Sequence, residues 1–210
     1  MRMSFKDKSM QDFIDELAGP SATPGGGTAA ALGGAMGAAL ISMVCKLTVS
    51  KKGVGDVAEE LHRVIEGAEV LRRQLTDLAD ADSQAFDQVM AGHRLPKVTP
   101  EEKASRQRAI QDALRHAAQV PLDTATACAA VVKLAHHVIS KINPSAISDV
   151  GAAALLAEAG LKAAQLNVII NLSSIQDSDF VQETRQALEE ALSGADEEKE
   201  RAFNYVLEHM

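Results

Sequence analysis

Ala22-Thr23-Pro24-Gly25-Gly26-Gly27-Thr28 runs directly into Ala29-Ala30-Ala31-Leu32-Gly33-Gly34-Ala35-Met36-Gly37-Ala38-Ala39-Leu40. Three successive glycines ahead of a helix let backbone N–H groups come close to a ligand. Side chains this small let a neighbouring helix approach almost to backbone contact. The stretch therefore reads as a binding loop feeding a tightly packed central helix, running from about Thr28 to Val49. Its apolar residues surround the axis instead of forming a stripe, which places it inside a bundle or at a subunit interface.

The rest of the chain repeats the helical signal. Aromatic residues make up 3 % of the 210 residues, there is no Trp, and hydrophobic residues reach 46 %. That is the composition of packed helices around a substantial core. Ser9 and Asp12 cap a short amphipathic helix that ends at Gly19-Pro20. From Gly55 to Met90 the apolar positions keep a helical period with no Pro, giving a helix of roughly 50 Å. Thr99-Pro100-Glu101-Glu102 places a cap, a first-turn Pro and a capping-box Glu in order. Pro121 predicts a kink or break near Val120. Asn143-Pro144 is a loop, Ser148-Asp149 a capping pair, and further helices start at Asp177 and near Ala195. No stretch alternates with period two. The expected fold is all-α, a single-domain bundle of long antiparallel helices over residues 1–210.

The formal net charge of −8 leaves no basic face for nucleic acid. No uninterrupted apolar run approaches the roughly 20 residues of a bilayer span, and the polar start lacks a signal-peptide core. A soluble cytoplasmic protein with neither nucleic-acid nor membrane partner is expected. Cys45 and Cys128 read as small core residues. His136 and His137 diverge by about 100° on a helix and cannot chelate one ion, and the other histidines lack metal-ligand spacing, so no metal site is expected.

Asp82 is the carboxylate out of place. Leu71, Leu75, Leu78, Asp82 and Phe86 follow spacings of three and four, which puts Asp82 in line with the apolar stripe while Asp80 points elsewhere. A charge there needs either a function or a buried salt bridge to Lys or Arg. Asp149 either caps the following helix or joins Asn143, Ser145 and Ser148 in a polar cluster at its start. Asn167 and Asn171, four apart in an apolar run, must hydrogen-bond to a neighbouring helix, a partner subunit or a ligand. Lys51 and Lys52 suit a helix C-terminus, or else join Lys46, Arg94 and Lys97 in meeting an anionic tail.

Together, Pro24-Gly25-Gly26-Gly27, Met36-Gly37-Ala38-Ala39-Leu40, Asp80-Ala81-Asp82-Ser83-Gln84-Ala85-Phe86, Arg94-Leu95-Pro96-Lys97, Val120-Pro121-Leu122, Ser148-Asp149 and Asn167-Val168-Ile169-Ile170-Asn171-Leu172 followed by Asp177 resemble the cyclodeaminase/cyclohydrolase family. This family comprises the C-terminal domain of formiminotransferase-cyclodeaminase and the stand-alone methenyltetrahydrofolate cyclohydrolases. The resemblance spans nearly the whole chain. It implies a homodimer with folate bound near the interface and no cofactor beyond the tetrahydrofolate substrate. It also implies Asp82 as base or cation stabiliser, and Asp149 as pterin partner or second acid/base group. Asn143 and Asn171 would orient ligand or water, and Pro24 to Gly27 would approach the ligand through backbone. Phe86, Ser148 and Asn167 would line the site, with Lys51, Lys52 and Lys97 meeting the glutamate tail. A chain of this extent has no room for a formiminotransferase module, which favours a cyclohydrolase over a cyclodeaminase. A non-catalytic helical oligomer or folate-binding protein is the reading of another class.

Overall fold

The computed structural model describes residues 4–50, 55 and 57–210. Among the described residues seven α-helices follow one another: α1 (Met10–Leu17), α2 (Gly26–Val49), α3 (Val57–Arg94), α4 (Pro100–Val138), α5 (Ile147–Leu172), α6 (Ser178–Leu192) and α7 (Ala195–His209), with 3-10 turns at Phe5–Asp7 and Pro144–Ala146. Among the described residues there is no strand, as the composition predicts.

Helices α2 to α5 form the central bundle, and their contacts fix its directions. Ser42 and Glu69 meet near one end of the α2–α3 pair and Thr28 and Asp82 near the other, so the two helices are antiparallel. Gly37 faces Ala153 while Gly26 faces Asn167, so α5 also runs antiparallel to α2. Gly92 packs on Ile110 where α3 and α4 are joined, and Lys141 pairs with Glu60 at their far end. Helices α6 and α7 cover the α4–α5 side. The Ala/Gly content of α2 now has its reason. A Cβ on Gly160 would lie 2.7 Å from the Ala30 carbonyl oxygen, and one on Gly37 would lie 2.8 Å from that of Ala153. One on Gly34 would collide with the Cys128 sulfur. Both cysteines are buried in the core, where burial pushes the Cys45 thiol up to about 11 and that of Cys128 to about 12.

Helix starts follow the caps read from the sequence at Ser9, at Asp177 and at Thr99, where Thr99 and Glu102 complete a capping box. Three expectations change. Helix α2 begins at Gly26, so two of the three glycines belong to its first turn. Helix α5 begins at Ile147 behind Ala146, with no side-chain cap, so Ser148 and Asp149 sit inside the first turn and do not cap it. Pro121 does not break α4, which is helical from Pro100 to Val138. Pro121 lacks the N–H that would reach the Ala117 carbonyl, and the Asn171 side-chain amide donates to that carbonyl at 2.6 Å. An amide from α5 thus supplies the hydrogen bond that the proline removes.

Helix α2 and the segment Pro144–Leu172 are long and apolar enough to cross a bilayer by length and mean hydropathy, contrary to the reading of uninterrupted runs. A window average tolerates Gly, Ser and one Lys, which a run does not. In the α2 window 61 % is buried inside the bundle, whereas in the second it is 39 %.

Two substitution series test this packing. Gly160→Ala should destabilise by about 1–3 kcal/mol because its methyl meets backbone, whereas Gly67→Ala, whose Cβ would find only Leu134 at 4.0 Å, should stabilise by ~1 kcal/mol in urea denaturation. Asn171→Ala should cost about 1–3 kcal/mol in the wild type and clearly less in a Pro121→Ala background, where residue 121 regains its N–H. Additive costs in the double mutant would refute the compensation.

Candidate functional site

The glycine loop, α3, α4 and α5 converge on one cleft of about 240 Å³. The loop side is Ala22, Thr23 and Gly25 to Gly27. Opposite them α3 presents Asp82 and, at following turns, Ala85, Phe86 and Val89. Leu114 and Ala117 of α4 form the floor, and Asn167 and Asn171 of α5 close the last side. Asp82 is the one titratable side chain among the described residues that line it.

The salt-bridge reading of Asp82 is not realised: among the described residues no cation pairs with it. Its Oδ2 accepts from the Thr28 hydroxyl at 2.8 Å. The Thr28 N–H belongs to the first turn of α2, where no residue four back can accept it, and the N-cap residue Gly25 offers no side chain. Asp82 therefore sits over the N-terminus of α2 from another helix. Burial raises its pKa above the ordinary carboxylate value, and the Thr28 hydroxyl and N–H oppose that rise in part. Gly27 is what permits the contact, since a Cβ there would collide with the Asp82 carboxylate. Asp80, two residues back, accepts from the Ser4 hydroxyl and the Phe5 N–H, which ties the N-terminal turn to α3.

Asn167 donates one amide N–H to the Ala163 carbonyl at 2.9 Å and Asn171 one to that of Ala117, so each keeps a second N–H and its carbonyl oxygen for other partners. One carboxylate and two side-chain amides thus line the cavity, with no cation among its described lining residues. On the opposite wall the first-turn N–H groups of Gly26 and Gly27 are further donors. Such a site is complementary to a positively charged group that carries hydrogen-bond donors and acceptors.

Of the residues expected to act together, the structure brings together Asp82, Phe86, Asn167, Asn171 and Gly25 to Gly27, with Pro24 buried behind them. Asn143, Ser148 and Asp149 stand apart. Asp149 is 18 positions before Asn167 on α5, about 27 Å along the axis and, after five full turns, on the same face. Asn143 accepts from the Ser145 N–H and donates its own N–H to Thr48 at 3.0 Å, at the α2 C-terminal end. Lys97 is exposed in the α3–α4 connection and does not line the cleft. Lys51 and Lys52 lie outside the described residues. Sequence reading does not single out Ala85, Val89, Leu114 or Ala117 as lining residues, and it places Thr28 in the binding loop and at a helix start without its contact to Asp82. The apolar pair of α4 carries no local signal except Pro121, four residues beyond Ala117. Among the described residues no group of three or more His, Cys, Asp or Glu is placed to hold a metal ion.

Comparison with known proteins agrees with the motif resemblance. The family model described as formiminotransferase-cyclodeaminase matches residues 9–190. A methenyltetrahydrofolate cyclohydrolase of Methylorubrum extorquens is 46 % identical over 200 residues, which cover 95 % of this chain and 96 % of that protein. The formimidoyltransferase-cyclodeaminase of Rattus norvegicus is 36 % identical over 192 residues, 91 % of this chain and 36 % of the relative, so the chain spans about a third of that protein's length. The crystal structure of a formiminotetrahydrofolate cyclodeaminase from Thermotoga maritima has the same fold, with a TM-score of 0.86 at 32 % identity over 97 % of this chain and 98 % of the other. With its helical bundle, its motifs and these relatives in agreement, the chain belongs to the formiminotransferase-cyclodeaminase family.

Proposed function

We propose that this protein hydrolyses 5,10-methenyltetrahydrofolate to 10-formyltetrahydrofolate, with no cofactor beyond the folate. The observation that carries this reading is a half-buried carboxylate that no cation pairs with among the described residues, in a cleft otherwise lined by apolar groups and side-chain amides. The carbon bridging N5 and N10 of the substrate is an amidinium cation. The Asp82 carboxylate favours that cation in the cleft and accepts the proton of the water that adds to it. The tetrahedral carbon then loses N5, which takes the proton back from Asp82, while the new hydroxyl releases its own proton and becomes the formyl carbonyl. Phe86 offers a ring face beside the heterocycle, and the Gly26 and Gly27 N–H groups meet its carbonyl. The relation to the Methylorubrum cyclohydrolase over the full length of both chains supports this choice. The likeness to the Thermotoga cyclodeaminase supports a second reading, elimination of ammonia from the related tetrahedral carbon, in the same cleft.

The active species proposed is a homodimer. A cleft of about 240 Å³ holds a pterin but not a whole folate. Met36, Met43 and Leu47 of α2 and Leu155, Leu166 and Ile170 of α5 are exposed on apolar stretches. Pairing α5 with its copy about a two-fold axis near Ala159 covers the α5 stripe and sets Asp149 of one subunit beside Asn167 of the other. The Asn143–Asp149 cluster then joins the cleft from across the interface.

Loss of methenyltetrahydrofolate absorbance measures the activity. Asp82→Asn should lower kcat/KM by a factor of about 10²–10⁴ while helical content is retained; near-wild-type turnover would end the assignment. The acid limb of the wild-type kcat/KM profile should lie above the ordinary carboxylate value of about 4, because burial holds the proton on Asp82. The same burial fixes the sign of the stability effect. With the folded pKa above the unfolded one, wild-type stability falls as pH rises from about 4 through the folded value, so Asp82→Asn should melt higher than wild type near pH 7 and lose that advantage as the pH falls from the folded value to about 4. Mixing refolded Asp82→Asn and Asp149→Asn chains should restore about a quarter of wild-type turnover through heterodimers with one intact site. Silence of the mixture, with dimers present by ultracentrifugation, would place both carboxylates' work within one subunit.

A further inference from the structure

Thr28 is fully buried in the first turn of α2, and its hydroxyl proton is committed to Asp82 Oδ2 across 54 positions of sequence. Its backbone N–H, unsatisfied within the first turn of α2, also favours the charged carboxylate. The hydroxyl bond, with Gly27 leaving room for the acid, defines where the carboxylate sits. Other groups do not share this task. The loop brings Thr23 to the cleft, α4 brings Leu114 and Ala117, and α5 brings Asn167 and Asn171, none of which titrates. The nearest carboxylate on α3, Asp80, faces Ser4 and Phe5. No charged side chain from any packed element therefore reaches Asp82 among the described residues.

We propose that Thr28 is the positioning residue of the site: its hydroxyl holds the Asp82 carboxylate against the α2 N-terminus through Oδ2. The role rests on the assignment of Asp82 as the reacting carboxylate. A plain packing role for Thr28 would be served as well by valine, which has the same shape. A positioning role would be served by serine, which keeps the hydroxyl and lacks the methyl.

The test follows the Asp82 Cγ resonance through a pH titration by ¹³C NMR, the signal being identified by its disappearance in Asp82→Asn. Wild type, Thr28→Ser and Thr28→Val are compared, each first shown to be helical by circular dichroism. In Thr28→Val the Asp82 titration should move to higher pH by about one unit, a tenfold gain in proton affinity, because a donor that favoured the anion is gone. The acid limb of kcat/KM should move with it, and Thr28→Ser should keep both within a few tenths of a unit of wild type. Should valine fail to fold, Thr28→Ala removes the same hydroxyl without added bulk. A folded valine or alanine variant whose Asp82 titrates where the wild type's does overturns the proposal, and so does a serine variant displaced as far as valine. The two readings part cleanly. A Thr28-dependent titration in a protein that does not hydrolyse methenyltetrahydrofolate keeps the positioning role and removes the proposed function. Turnover with an acid limb indifferent to Thr28 does the reverse.

Discussion

The approach of α2 to α5 without intervening side chains is the constraint from which the rest of the structure follows. At Gly37 and Gly160 there is room for a hydrogen and not for a methyl before the backbone of the facing helix. Contact this close leaves one antiparallel register, because sliding either helix would drive Ala or Leu side chains into a carbonyl. That register brings the start of α2 beside the end of α5, so Gly26 comes within reach of the Asn167 amide. Cys128 of α4 fits against both Gly34 and Gly160, which locks a third helix to the pair. Asp82 meets Thr28 because α3 is held to α2 again at the far end, where Glu69 takes Ser42, Lys46 and Arg72. The Lys46 ammonium first, then Ser42 and Arg72, hold that carboxyl down to about 2.

Much of this was legible along the chain, and the residues show why. Thr99, Pro100 and Glu102 act over four positions, so the start of α4 could be read without knowing any neighbour. Asp82 stood out because an apolar helical stripe is also a local pattern. The α5 start was misread because Ser148 and Asp149 look like a cap, whereas a 3-10 turn over Pro144–Ala146 delivers the chain to Ile147 and makes the cap unnecessary. The continuity of α4 through Pro121, where a kink or a break is expected, has a different reason. The proline's cost to α4 is offset by Asn171, fifty residues away in sequence, and a rule confined to one helix contains no such donor.

The composition of the cleft had the same limit. Asn171 reads as an amide in need of a partner, and one of its N–H groups serves the fold while the residue also lines the cavity. Asn167 divides itself likewise, with one N–H on its own helix. These commitments decide what each amide can still offer a ligand, and they depend on where the carbonyls of Ala117 and Ala163 lie. Similarly, Asp149 and Asn167 share a face of α5 by simple helical arithmetic, yet their separation along the axis means that a single subunit cannot use both around one small ring.

The electrostatics of Asp82 are a compromise between fold and site. A lysine or arginine beside it would stabilise the buried charge, but it would also cancel the field the cleft presents to a cation. The α2 N-terminus does the opposite: the Thr28 hydroxyl and the positive end of a 24-residue helix support the anion without placing a full positive charge in the cavity. Partial charges of this kind leave the carboxylate basic, since burial still outweighs them. They leave it negative toward whatever enters, since no counter-ion among the described residues competes. A glycine at position 27 is the steric condition for this solution, because any side chain there would fill the space that the carboxylate occupies. The triple glycine thus serves the acid as much as the ligand: it brings the helix terminus close enough to hold a charge that the rest of the core would reject.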